Sequence, residues 1–289
     1  MKQDVLPVIL GASEGAYALS HAFFHDYGII PLVLDEEIPE LFSHTFCAYA
    51  DEIKNVRKAH ILYRVLEDIS SKAQGKSLIL IPADAHFLSL VEENAEVLEK
   101  SFLLPHMPTP SSDTLPCNAV SLVLLYRAKN GECRTVFARV LAKAPSGEIT
   151  ALKAENIPES INENIVEQAK KLRRGIYLFA LDREGSVYHC ADVLPHLLAF
   201  SAAKDASFPE WMISETVLCT PLVETQSALS GAFTLFPYRK TKRFLSRAQR
   251  KALQRVEKCT LYSFKEEGLR RDIGRVFKAL YKAHIKEKS

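Results

Sequence analysis

The chain has 289 residues, 47% of them hydrophobic and 25% charged, with a net charge of +2; this composition excludes disordered and fibrous classes and leaves room for two domains. No apolar stretch approaches the about 18 residues a membrane-spanning helix needs, and the N-terminus lacks the charged and apolar regions of a secretory leader, so a cytoplasmic location is expected. Six widely spaced cysteines (Cys47, Cys117, Cys133, Cys190, Cys219 and Cys259) include no C-x-x-C pair, which predicts reduced structural thiols and neither a zinc site nor a disulfide framework.

In chain order, "VLPVILG" reads as a buried strand, Gly11 to Gly15 as a tight turn, "AYALSHAFFHDYG" as a helix ended by Gly28, and "IIPLVLD" as a second strand closed by Asp35. Such a βαβ unit predicts a parallel, Rossmann-like sheet. A dinucleotide site is disfavoured. The stretch G-A-S-E-G lacks the G-x-G-x-x-G pattern, and Glu14 puts a negative charge where a pyrophosphate would sit. The turn nevertheless lies at the carboxyl end of a strand, where open α/β sheets bind ligands. Gly11, Ser13, Glu14, Gly15, Asp35 and Asp84 are therefore the candidate small-ligand residues, with Ser13 as a plain helix cap the competing reading. His21 and His25 have the i, i+4 spacing of a metal pair, yet no third ligand lies near, and both are read as surface or cap-side residues.

Residues 54–73 read as an amphipathic helix and "KSLILIP" as a third strand. Next, "ADAHFLSLVEENAEVLEKSF" reads as one helix capped by Asp84, with Leu88, Val91, Val97 and Leu98 on its buried side.

The stretch "LILIPADAHFLSLVEENAEVLEKSFLLP" (78–105) resembles the end of the first domain of the ATP-grasp carboxylate-amine ligases, the D-aspartate ligase-like group. The resemblance runs across residues 5–105. It implies a Rossmann-like pre-ATP-grasp domain (1–105) that helps to hold an acceptor substrate and binds no dinucleotide. A relative of this kind would continue with a subdomain carrying two ATP-gripping lysines and a glycine-rich flap. Here "HMPTPSSDTLPC" (106–117) is a polar linker too short to hold one.

The following segment, 118–235, resembles a reduced ATP-grasp subdomain. Asn130-Gly131 and Ser146-Gly147 mark turns between alternating strands, Phe137 to Pro145 matches a strand of the family pattern, and a helix is expected over 161–173. "RGIYLFALDREGSVYHCADVLPHLLAF" resembles the two-strand unit that carries the family's metal ligands, where hard carboxylate and amide oxygens hold two Mg²⁺ ions on the triphosphate. Matched to that pattern, the first carboxylate position falls on Ala180, the second on Asp192, the asparagine on Leu194 and the acceptor-orienting arginine on His196. Asp192 alone survives as a candidate metal residue. His189 and Cys190 beside it would point to opposite faces of a strand, which favours a structural reading.

Residues 236–289 read as a basic helical extension. Over 239–289 there are 17 Lys and Arg against 5 Asp and Glu, whereas the remainder holds 20 against 30. Leu269, Ile273, Val276, Phe277 and Leu280 would form one apolar stripe, and Arg270, Arg271, Arg275 and Lys278 are candidate anion-binding residues. An acidic body with a basic tail points either to an anionic partner or to an internal electrostatic contact.

The fold class expected is thus α/β: a Rossmann-like pre-ATP-grasp domain, a reduced ATP-grasp C-terminal subdomain and a basic helical extension. The function expected is that of a degenerate ligase relative, a non-catalytic protein that binds a small molecule or a protein partner and uses no cofactor. One alternative is an active ATP-dependent carboxylate-amine ligase with a rewired Mg-ATP site at Asp192. Another is an anion- or nucleic-acid-binding module working through the basic helices, with salt-sensitive affinity.

Overall fold

The computed structural model describes residues 5–43, 45–105, 118–128, 130–143, 145, 149–172, 175–190, 208–213, 231–234 and 246–247. The first sheet is built from β1 (Val5–Leu10), β2 (Leu32–Asp35), β3 (Tyr49–Glu52) and β4 (Ser77–Pro82), all parallel, in the spatial order β3-β2-β1-β4. Its direction of growth reverses between β1 and β4, and a short parallel bridge from Ile79 to Leu103 extends the β4 side.

Alternation along these strands sends side chains to two cores. Val5, Ile9, Val33, Ile79 and Ile81 face α1 (Glu14–Tyr27), which contributes Ala16, Tyr17, Leu19 and Phe23. Val8, Leu10, Leu34, Leu78 and Leu80 face α2 (Ala59–Lys72) and α3 (Ala85–Glu93), which contribute Leu62, Leu66, Phe87 and Leu90. Helices thus cover both faces, and β1, β2 and β4 read as near-continuous apolar runs for that reason, while the edge strand β3 is polar and mostly exposed. The α1 helix stops at Gly28, whose left-handed φ of 65° lets its N–H reach back to the Phe23 and Phe24 carbonyls.

Three expectations for this half need correction. Residues 54–58 are a turn, so α2 starts at Ala59; Asn55 takes a φ of 61°, which a helix cannot contain. The helix after β4 breaks at Asn94 into α3 and a single turn, α4 (Ala95–Leu98). The break rotates Val97 outward to 61% exposure, while Leu88, Val91 and Leu98 are buried as expected. His21 is buried instead of lying at the surface, its ring 4.4 Å from that of Tyr17 and its Nδ1 3.7 Å from Cys47 Sγ.

The second sheet is antiparallel throughout, in the order β10-β7-β6-β5-β8-β9. Its strands are β5 (Ser121–Arg127), β6 (Cys133–Lys143), β7 (Ile149–Glu155), β8 (Gly175–Leu181), β9 (Val187–Cys190) and β10 (Gly231–Thr234). One face packs on α5 (Glu159–Ala169) through Val123, Leu125, Phe137, Ile165 and Phe179. The opposite face, carrying Leu122, Leu124, Tyr126, Ala138, Leu178 and Ala180, belongs to the same apolar cluster as α1 and α6 (Phe208–Ile213). Trp211 of α6 stacks on Tyr126 at 5.5 Å between ring centroids. Asn130-Gly131 does mark the β5–β6 turn, with Gly131 at a φ of 88°, whereas Ser146-Gly147 lies outside the described residues.

Candidate functional site

The carboxyl end of the parallel sheet brings together three of the expected residues and one that the sequence did not suggest. β1 ends at Gly11, whose φ of 100° is foreign to other residues, and a Cβ there would stand 3.0 Å from Asp84 Oδ2. The Ala12 N–H donates to Asp35 Oδ2 at 2.8 Å, and the Glu36 N–H donates to Asp35 Oδ1 at 2.7 Å. On the far side, the Ala83 N–H donates to the Leu10 carbonyl at 2.7 Å, which holds the ends of β1 and β4 together. Asp84 caps α3, its Oδ1 accepting the Phe87 N–H at 2.9 Å.

Arg57 ties these ends into one network. It leaves the turn after β3 and forks onto Asp35, Nε to Oδ1 and Nη2 to Oδ2, each at 3.0 Å. Nη2 also donates to Asp84 Oδ2 at 2.9 Å. The guanidinium carbon lies 4.9 Å from the centroid of the Phe87 ring, so the charge rests on an aromatic face. The His86 Nε2–H donates to the Arg57 backbone carbonyl at 2.7 Å and fixes the turn from above. Burial opposes the charge on Arg57, but its hydrogen bond to Asp35 and the charges of Asp84 and Asp35 together raise its pKa above the ordinary arginine range.

Beside this network lies a cleft of about 500 Å³ lined by Ala12, Asp35, Glu36, Glu37, Ile38 and Arg57, within the size range of small-molecule sites. The side chain of Arg57 is 36% exposed and that of Asp35 10%, so the arginine faces the cleft while the aspartate anchors it from beneath. A mixed lining of two glutamates, one guanidinium and an apolar wall can hold a small polar molecule at both of its ends.

The remaining expected residues are placed as follows. Ser13 caps α1, accepting the Ala16 N–H on Oγ at 3.1 Å, and Glu14 and Gly15 open that helix. Asp192, Arg270, Arg271, Arg275 and Lys278 lie outside the described residues, as do Leu194 and His196. Among the described residues no group of three His, Cys, Asp or Glu could hold a metal ion. Ala180 is fully buried in the apolar cluster, opposite Leu122 on β5 and Tyr188 on β9. Asp182 stands two residues further on, but its Oδ1 closes the β8–β9 turn by accepting the Glu184 and Ser186 N–H groups at 2.9 Å each. A larger cleft, about 750 Å³, opens at that end of the second sheet between Asn118, Lys143 and Asp182; no candidate from the sequence falls in it.

Arg57 was missed because the spacing of Ile53 and Val56 continues the apolar pattern of α2. The available signal was Asn55, a residue type that tolerates the left-handed conformation and so marks a turn.

No protein-family model and no curated protein matches the sequence. Solved structures do match the fold. Urea carboxylase from Kluyveromyces lactis superposes with a TM-score of 0.52 at 11% identity, over 80% of this chain and 23% of that one. N5-carboxyaminoimidazole ribonucleotide synthetase from Thermus thermophilus gives 0.51 at 14% identity, over 78% of this chain and 81% of that one. Urea amidolyase from K. lactis gives 0.51 at 12% identity, over 80% and 16%. The fold is ATP-grasp-like. This chain spans under a quarter of the length of the urea carboxylase it matches, and at these identities the likeness is one of architecture. No helix among the described residues is long and apolar enough to cross a membrane.

Proposed function

We propose that this chain is a ligase-fold relative that has lost ATP-coupled chemistry and works as a binding protein, taking a small polar ligand in the cleft at the carboxyl end of its parallel sheet. The observation that carries the reading is Ala180. The resemblance assigns the first metal-binding carboxylate to this position, yet the side chain is a methyl group at 0% exposure among Leu122, Leu178 and their neighbours. A magnesium ion needs oxygen ligands and the water it retains. An apolar, close-packed position offers neither, which supports the reading that this strand holds no magnesium ion.

The rest of the reading follows from what has been kept. The Rossmann-like half retains its glycine turn at Gly11, its aspartates at Asp35 and Asp84 and an open cleft. Those features serve recognition without requiring a nucleotide. The test is isothermal titration of the full chain with Mg-ATP, alongside its melting temperature, since a ligand that binds only the folded state raises that temperature. No heat and no shift at millimolar nucleotide is the expected result. Binding that disappears in Asp192→Ala would instead establish a working Mg-ATP site and overturn the reading.

A further inference from the structure

The parallel sheet ends on one side at β3, and that edge carries charge of a single sign. Among the described strands β3 pairs with β2 alone. The Tyr49 and Ile53 N–H groups donate inward to the Pro31 and Asp35 carbonyls, at 2.9 and 2.8 Å, so strand alternation turns the N–H groups of Ala50 and Glu52 away from the sheet. Asp51 and Glu52 are exposed, Tyr49 is 70% exposed, and Phe46 is 51% exposed with its ring set edge-on against Phe24. The connection between β2 and β3 adds Glu36, Glu37 and Glu40, starting directly after Asp35, which lies in register with Glu52. None of these five carboxylates forms an ion pair among the described residues. From Gln3 to Ile53 there are nine Asp and Glu and no Lys or Arg.

An unpaired strand edge is a template for another polypeptide segment. A second copy of the same edge is a poor occupant, because two β3 strands run antiparallel would set Asp51 and Glu52 against like charges. The complementary charge lies in this same chain, in residues 239–289 with their 17 Lys and Arg against 5 Asp and Glu. We propose that the β3 edge, with Phe46 and Tyr49, docks the basic segment 239–289 of its own chain. Tethering favours the intramolecular contact, since a linked segment is presented at millimolar effective concentration. Glu36 and Glu37 border both the edge and the cleft, but Asp51, Glu52 and Tyr49 do not line the cleft, so a variant at Asp51 and Glu52 tests the docking apart from the cleft reading.

The test is zero-length carbodiimide cross-linking of the full-length protein, read by mass spectrometry on an equal mixture of ¹⁴N- and ¹⁵N-labelled chains. At low salt, lysines such as Lys240, Lys251, Lys258 and Lys278 should join predominantly to Glu36, Glu37, Glu40, Asp51 and Glu52, within one chain. Near 1 M salt, where the screening length shrinks to about 3 Å, the yields should fall about fivefold or more. The exposed double variant Asp51→Asn/Glu52→Gln should keep its melting temperature and lose most of the remaining cross-links to Glu36, Glu37 and Glu40. Cross-links spread evenly onto carboxylates such as Glu92, Glu96 and Glu99, yields indifferent to salt, or mixed-isotope pairs would each overturn the proposal.

Discussion

The two sheets treat charge in opposite ways. At the carboxyl end of the parallel sheet, Asp35 is buried and Asp84 and Arg57 half-buried, and the contacts described account for both oxygens of each aspartate: Asp35 takes two backbone N–H groups and the arginine fork, and Asp84 takes a helix cap and the same arginine. On the inner face of the antiparallel sheet, where the family pattern would place a carboxylate, the chain carries Ala180 among leucines. A buried charge is tolerated only when fully paired. The first region supplies its charges with partners; among the described residues the second surrounds Ala180 with apolar side chains, and an apolar side chain is what such a place admits.

The sharpest way to break this contrast is to restore the carboxylate with Ala180→Glu. A glutamate at a fully buried position among Leu122, Leu178 and Tyr126 would carry an unpaired charge or force its own protonation, and should cost about 3–5 kcal/mol. Chemical denaturation should show an unfolding free energy lower by that amount, with the midpoint falling in proportion, or no folded protein at all. A variant that folds normally and gains Mg²⁺ affinity would mean that the face is a ligand site with one residue altered, and the contrast between the sheets would fail.

A smaller effect is expected at the other pole. Asp35→Ala removes the acceptor for the Ala12 and Glu36 N–H groups and releases the fork of Arg57. Buried donors left unsatisfied cost about 1–3 kcal/mol, and partial exposure of Arg57 places the expected loss near the middle of that range, about 2 kcal/mol. Arg57→Met should cost less, because Asp35 keeps its two backbone donors and 36% of the arginine side chain already meets solvent. Comparing the two unfolding curves separates the aspartate as anchor from the arginine as latch. Equal losses would show that the guanidinium contacts alone carry the network.

Much of the parallel half was legible in the sequence. Three of its strands, β1, β2 and β4, are largely buried, so their apolar runs stand out, whereas the exposed, polar β3 has no such run and was not read. Its helix ends are written in residues with a geometric reason to be there: Ser13 and Asp84 as caps, Gly28 as a left-handed stop. The failures share a cause. Arg57, His21 and Val97 are residues whose fate depends on a tertiary event: a turn that interrupts an apolar period, a pocket formed by Tyr17 and Cys47, a break at Asn94. Local pattern carries no record of such events. The ion-pair network was half legible, since the aspartates fall at strand ends whereas their cation comes from a stretch that mimics helix.

Ser13 sets the smallest test, and it decides between the two readings of the glycine turn. Its Oγ accepts the Ala16 N–H at 3.1 Å, so Ser13→Ala should cost about 1 kcal/mol as an ordinary lost cap. Ser13→Asp keeps an acceptor at the cap and adds a negative charge that the α1 dipole welcomes. As a cap alone, then, position 13 should rank Ser and Asp close together and Ala below both. If the turn instead receives an anionic ligand, a ligand group and the introduced carboxylate would compete for the same helix N-terminus, and the aspartate variant would keep its stability while losing ligand affinity. The serine would then belong to the cleft as well as to the helix, and the polar region of the molecule would extend one residue further than its hydrogen bonds alone define.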